Sequence, residues 1–151
     1  MHQIIKNMKH ILTALLLTTS ATLFAQNTLE VPSAVQSAFS SLYPVGTAAT
    51  WQMESKNFVA HFSSRDKIMD AVFSPEAKWL ETRMDIGTNE IPEVVKANAI
   101  NGHAGFVIAS SHFINGTDFG YYRLTMQNAT GSTFEINYNR DGTERAANNT
   151  H

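Results

Sequence analysis

Two stretches of the chain can be laid on each other. Val31-Pro32-Ser33-Ala34-Val35-Gln36-Ser37-Ala38 aligns with Ile91-Pro92-Glu93-Val94-Val95-Lys96-Ala97-Asn98 at an offset of 60. Phe73-Ser74-Pro75-Glu76-Ala77-Lys78 aligns with Tyr138-Asn139-Arg140-Asp141-Gly142-Thr143 at an offset of 65, and an insertion near Asn115-Gly116 accounts for the drift. Each copy, residues 31–86 and 91–145, reads as a β-branched residue, a proline, a helical pattern and then strand patterns separated by turns. A unit of about 60 residues buries little surface and is marginal alone. Two such units gain by sharing one antiparallel sheet with both helices on the same face, because that hides an edge of each. The predicted fold class is therefore α+β, made of tandem helix-plus-antiparallel-sheet repeats that share one sheet. The alternative is two loosely joined subdomains.

In the first copy, Val35, Ala38, Phe39 and Leu42 follow helical spacing. Pro32 suits a first helical turn, and Pro44 stops the helix. Alternation follows: Ala49, Trp51 and Met53, then Phe58, Ala60 and Phe62, then Met69, Ala71 and Phe73. Turns are expected at Ser55-Lys56-Asn57, Arg65-Asp66 and Ser74-Pro75-Glu76-Ala77, with a fourth strand over residues 78–86 and a linker at Gly87-Thr88-Asn89. In the second copy, Ile91, Val95 and Ala99 mark a helix that Asn101-Gly102 end. Residues 106–113 read as a strand, and Asn115-Gly116-Thr117-Asp118 as a hairpin loop with Asn-Gly as its strongest signal. Tyr122, Leu124 and Met126 alternate next, followed by Phe134, Ile136 and Tyr138. Phe39, Trp51, Phe62 and Phe73 are expected between the first helix and the sheet. Residues 146–151 are expected to be a frayed tail.

The first 25 residues have a separate character. Lys6 and Lys9 precede a mostly apolar stretch over residues 11–24, and Ala25 offers a cleavage point before Gln26. The stretch is shorter than the roughly 20 residues of a comfortable span. It reads as a secretory signal, the alternative being an uncleaved anchor or a buried helix. Cleavage after Ala25 predicts a soluble periplasmic or secreted product, and losing the two lysines takes the net charge from −2 to −4. An acidic chain has no basic excess with which to neutralise phosphates, so a nucleic-acid partner is not expected. No membrane association is expected once the signal is removed. The absence of cysteine excludes disulfides, thiolate metal sites, a thiol nucleophile and a lipid-anchored N-terminal cysteine.

The order and spacing of several elements resemble the PepSY-like proteins, also described as β-lactamase-inhibitor-like (BLIP-like), which Bacteroidetes-type bacteria export. The elements are Val31-Pro32-x-Ala34-Val35-x-x-Ala38-Phe39 with Tyr43-Pro44, Trp51, and Asn57-Phe58-Val59-Ala60-x-Phe62. To these is added Met69-x-Ala71-Val72-Phe73-Ser74-x-Glu76-Ala77-Lys78-Trp79-Leu80-Glu81-Thr82. Ala77 stands where the family usually has Gly, and His103-Ala104 follows the second helix in place of Tyr-Pro. The resemblance covers residues 31–86 well and 91–145 loosely. It implies a helix plus antiparallel sheet, often in tandem, and implies no enzymatic activity. A shared fold does not carry over an inhibited target.

The residues themselves nominate little chemistry. The histidines after Ala25 are His61, His103, His112 and His151, with no pair at helical metal spacing and no HExxH. No Gly-x-Ser-x-Gly elbow and no glycine-rich phosphate loop occurs, and Glu81 and Asp85 lie too far apart along one strand to share a proton. No catalytic residue, metal site or cofactor is therefore expected. One surface stands out. With Leu80, Thr82 and Met84 facing the helices beside Tyr122, Leu124 and Met126, the opposite face carries His61, Val72, Trp79, Glu81, Arg83, Tyr121, Arg123 and Glu135. Trp, Tyr and Arg are enriched at binding hot spots, so Trp79, Arg83, Tyr121 and Arg123 are the candidate binding residues. Cross-strand aromatic cover of the outer face is the competing explanation for Trp79 and Tyr121. The expected function is an exported, non-enzymatic module that binds an unidentified protein or peptide, including the case of a protease or hydrolase that it inhibits. The alternative is a small periplasmic hydrolase or ligand-binding enzyme with its site at the helix–sheet edge.

Overall fold

A computed structural model describes residues 29–44 and 46–146. The expected signal segment therefore lies outside the described residues, as does the tail beyond Ala146. Helix α1 (Ser33–Leu42) is followed by strands β1 (Ala49–Glu54), β2 (Asn57–Ser64), β3 (Lys67–Phe73) and β4 (Trp79–Asp85). A 3-10 turn (Thr88–Glu90) leads to helix α2 (Glu93–Gly102). Strands β5 (Phe106–Gly116), β6 (Gly120–Asn128), β7 (Thr133–Asn139) and β8 (Glu144–Arg145) follow among the described residues. All eight strands form one antiparallel sheet in sequence order.

Both helices begin in the same way. Pro32 and Pro92 stand at the N-caps in extended conformation, and their carbonyls accept from Gln36 and Lys96 respectively. Proline suits this entry because its fixed φ fits and its missing N–H is not needed. Val35 and Phe39 form the buried stripe of α1, against Phe58, Ala60, Phe62, Ala71 and Phe73 of the sheet. Val95 and Ala99 form that of α2, against Leu124, Met126, Ile136 and Tyr138. The cross-strand pairs Ala60↔Ala71↔Thr82 and Met84↔Phe113↔Tyr122↔Tyr138 carry one face across the sheet, so both clusters lie on that face. Trp51 is only partly buried because β1 is an edge strand, and its ring still packs against Phe39 and Phe73.

The turns depart from expectation at three places. Glu54 pairs with Asn57, so the first hairpin loop is Ser55-Lys56 alone. The linker is not slack: the Gly87 N–H donates to Glu90 Oε2 at 2.8 Å, and Lys67 pairs with the same carboxylate. The Asn115-Gly116 signal marks the right hairpin but misplaces its loop. Strand β5 runs through both residues, with Asn115 opposite Gly120, and the chain turns at Thr117-Asp118-Phe119. Gly116 lies under the Phe119 ring instead, and a Cβ there would stand 2.2 Å from the ring as placed, so that ring would have to swing aside. Arg65-Asp66 is a two-residue loop with both residues at positive φ, the geometry that matches strand twist. Ala77 also has positive φ, 62°, which explains why glycine suits its position in the resembling sequences.

Candidate binding face

The regular alternation of β4 is broken by a bulge. Val72 pairs with Glu81, but Phe73 pairs with Trp79, so Leu80 is the extra residue. A bulge resets which face the neighbouring side chains use. Trp79 consequently lies on the helix side, packed against the α1 cluster, with its indole N–H donating to Thr82 Oγ1 at 3.0 Å. The expectation that Trp79 faces outward with Arg83 is corrected on this ground. Leu80 takes the outer side instead, beside Val72 and Glu81. Thr82 is buried and also shares a hydrogen bond with the Tyr43 hydroxyl. Burial pushes the Tyr43 phenol up, and the Thr82 bond opposes that only in part.

Arg83, Tyr121 and Arg123 do reach the face away from the helices, Arg83 opposite Ile114 and Ile114 opposite Tyr121. Arg83 is held fast. Its Nη1 and Nη2 donate to Glu54 at 2.6 and 3.2 Å, and its Nε donates to Glu81 at 2.7 Å. Burial works against the charged guanidinium, but the two carboxylates outweigh it and push its pKa up. The Glu54 carboxyl is held below its ordinary range, chiefly by its hydrogen bond from Arg83. Glu54 belongs to β1 and Arg83 to β4, so this bridge passes over two strands. The diagonal between them crosses the row Val59–Val72, and both valines are buried although they point away from the helix clusters.

The same face is hollowed on both sides of Arg83. Three adjoining depressions of about 180, 380 and 830 Å³ all use it as a wall. Arg123 lines the first two, and Tyr121 the second. The Arg123 Nη2 donates to the Tyr121 hydroxyl at 3.0 Å, and its Nε stands 4.0 Å from Glu135. Arg145, from the short strand β8, stacks 4.8 Å above the Tyr121 ring centroid. At the margins, His61 pairs with Asp70 at 2.7 Å and His112 with Asp85 at 2.8 Å.

Glu54, Asn137 and Arg145 join the site without having been singled out by the sequence pattern. Arg145 was legible in principle. The tight turn at Asp141-Gly142 folds the chain back, and counting out from it places Arg145 opposite Asn137. Glu54 carried no comparable signal, because its partner lies three strands away in the sheet order.

The helix–sheet edge has a hollow of about 440 Å³, lined by Leu42, Tyr43, Met69, Trp79, Thr82, Met84, Phe113 and Asn115. Among the described residues its only titratable group is the Tyr43 phenol. The two histidine–carboxylate pairs could orient an imidazole, but no hydroxyl nucleophile hydrogen-bonds to either ring among the described residues. No cluster of His, Cys, Asp and Glu suited to a metal ion, and no helix long and apolar enough to cross a membrane, occurs among the described residues.

No protein-family model matches the chain, and no curated protein matches it. Solved structures do. A DUF2874 family protein from Bacteroides uniformis superimposes with a TM-score of 0.72 at 18% identity, over 78% of this chain and 88% of that one. A Bacteroides eggerthii protein provisionally described as periplasmic gives 0.70 at 19% identity, over 78% and 88%. A BLIP-like protein from Bacteroides fragilis gives 0.68 at 18% identity, over 83% and 94%. Identities this low establish a shared α+β fold.

Proposed function

We propose that the chain is an exported, non-enzymatic module that binds a protein or peptide on the sheet face opposite its helices. The observation that carries this reading is the hollowed outer face itself. Arg83, Tyr121 and Arg123 converge there on adjoining depressions, beside Val72 and Ile114, which that face buries without helical cover. Rigid aromatic area and multidentate donors over buried apolar ground suit protein recognition. The helix–sheet hollow, by contrast, offers no acid–base pair, which weighs against the hydrolase alternative.

The fold likeness to the BLIP-like protein and to a protein provisionally described as periplasmic supports the PepSY-like, β-lactamase-inhibitor-like reading of the sequence. On that reading the chain arose from tandem repeats, its partner is a protein such as a hydrolase that it inhibits, and residues 1–25 are removed on export. Intact-mass analysis of the exported product tests the last point. A mass beginning at Gln26 is expected, and a membrane-bound product retaining Met1 refutes export as a free protein.

The binding face is tested by capturing partners from the native periplasm with wild-type and Tyr121→Ala chains, both checked for thermal stability. Loss of a captured protein with an unchanged midpoint is expected. Retention of every captured protein by Tyr121→Ala and by Arg123→Ala would sink the proposed face.

A further inference from the structure

At one end of the hollowed face, three residues from successive strands stand in one cross-strand row: Arg123 on β6, Asn137 on β7 and Arg145 on β8. Tyr121 is the neighbour against which both guanidinium groups rest, at 5.9 and 4.8 Å from its ring centroid. Together they line the depression of about 380 Å³. Its walls hold three guanidinium groups, those of Arg83, Arg123 and Arg145, against two carboxylates, Glu54 and Glu81. Both of those carboxylates are already engaged by Arg83.

The other two arginines are underused. Arg145 donates to Asn139 Oδ1 at 3.1 Å through Nη1, and Arg123 donates to the Tyr121 hydroxyl through Nη2 while its Nε stands 4.0 Å from the exposed Glu135 carboxylate. Each guanidinium has further N–H donors in a planar fork suited to a carboxylate. Between them, Asn137 Oδ1 is buried and has no hydrogen-bond partner among the described residues. A buried acceptor left unpaired is costly, so this position calls for an incoming N–H.

We propose that this end of the face takes the C-terminal residue of a peptide chain: its carboxylate on Arg123 and Arg145 and, once a side-chain shift uncovers Asn137 Oδ1, its own backbone N–H on that atom. A C-terminal residue presents an anion and an N–H close together, the combination that the row lacks. In an aspartate or glutamate residue the side-chain carboxylate stands one or two carbons further from the residue's own N–H, so the spacing of anion and donor differs. The inference rests on the proposed binding face and names what enters one end of it.

The test measures fluorescence anisotropy with N-terminally labelled, mixed-sequence short peptides in two pools, one with a free C-terminal carboxylate and one C-terminally amidated. The full exported chain is used, in wild-type, Arg145→Gln, Asn137→Leu and Tyr121→Ala forms. Arg145 lies on a two-residue edge strand, so its replacement leaves the core intact. The expected result is that amidation weakens binding about tenfold or more, as loss of a charge-assisted contact does. Arg145→Gln should erase the preference for the free acid, and Asn137→Leu should reduce it. Equal binding of both pools that Tyr121→Ala abolishes would overturn the C-terminal subsite while leaving the binding face standing. Binding of amidated peptides in proportion to their Asp and Glu content would overturn it in favour of a side-chain carboxylate. Failure of both pools to bind would overturn it as well, and the face would then stand or fall on partner capture.

Discussion

Replacing Arg83 by methionine removes the bridge that joins β1 to β4 while keeping an apolar stem over Val59 and Val72. Three hydrogen bonds to carboxylates disappear. They are not of equal worth. The Glu54 side chain is half exposed, so water competes for its charge and that arm contributes about 0–1 kcal/mol. The Glu81 side chain is 19% exposed and would be left largely desolvated without a partner, at a cost of about 1–2 kcal/mol. The expected loss is therefore about 2 kcal/mol, a substantial share of a typical stability of roughly 5–15 kcal/mol. Urea unfolding measures it, and double-mutant cycles with Glu54→Gln and Glu81→Gln divide it between the two arms. The bridge also has a pH signature. The Glu54 carboxyl is depressed from its ordinary value of 4.5. Its contribution is thus complete above that value and is lost as pH falls through the depressed folded value. Below pH 4.5 the wild type should lose stability more steeply than Arg83→Met. An Arg83→Met chain as stable as wild type, with no coupling to Glu81, would refute the clamp and return Arg83 to the pool of free binding residues.

Phe39→Ala empties the centre of the α1 cluster, where the ring meets Tyr43, Trp51, Phe62 and Phe73, and should cost about 3–5 kcal/mol in urea unfolding. Thr82→Val leaves the Trp79 indole N–H and the Tyr43 hydroxyl without their shared partner, and should cost about 1–3 kcal/mol by the same measurement. Ala77→Gly relieves a left-handed backbone at φ 62° and should raise the thermal midpoint by a few degrees, the equivalent of about 0.5–1 kcal/mol after the flexibility that glycine adds.

The parts of the fold that were legible are those governed by simple periods. The helical spacing of Val35 and Phe39 after Pro32, and of Val95 and Ala99 after Pro92, locates both helices with their buried stripes, but Leu42, expected on the first stripe, stands exposed at the last residue of α1. Alternation counted back from Met84 places Arg83 outward, and alternation counted from Leu124 does the same for Tyr121 and Arg123. What failed was alternation carried through an irregularity. Trp79 and Met84 are an odd number of residues apart, and a period of two sends them to opposite faces. The extra residue Leu80 restores them to the same one. Nothing in Lys78-Trp79-Leu80-Glu81 announces a bulge, because its cause is tertiary: the indole finds Thr82 and the α1 cluster on the helix side. Asn115-Gly116 did mark the hairpin between β5 and β6 but misplaced its loop, which starts one residue after Gly116, at Thr117; the Gly116 N–H donates to the Phe119 carbonyl across it.

The bulge also decides what kind of face lies opposite the helices. Had strict alternation held, Trp79 would have stood on the outer side and Leu80 on the inner. The outer face would then carry an indole beside the Arg83 clamp, and the α1 cluster would lose the aromatic that bonds Thr82. With the bulge, the largest side chain of β4 is spent on the fold, and the outer face keeps Leu80, Glu81 and Arg83. Arg83 is in turn consumed by Glu54 and Glu81, so it shapes the hollows more than it can reach into them. The residues with donors to spare are those in the second half of the sheet, Arg123 and Arg145, grouped around Tyr121. Recognition should accordingly be unevenly distributed. Substitutions at Tyr121, Arg123 and Arg145 should act on binding with little effect on stability, whereas substitutions at Trp79 and Arg83 should act on stability first.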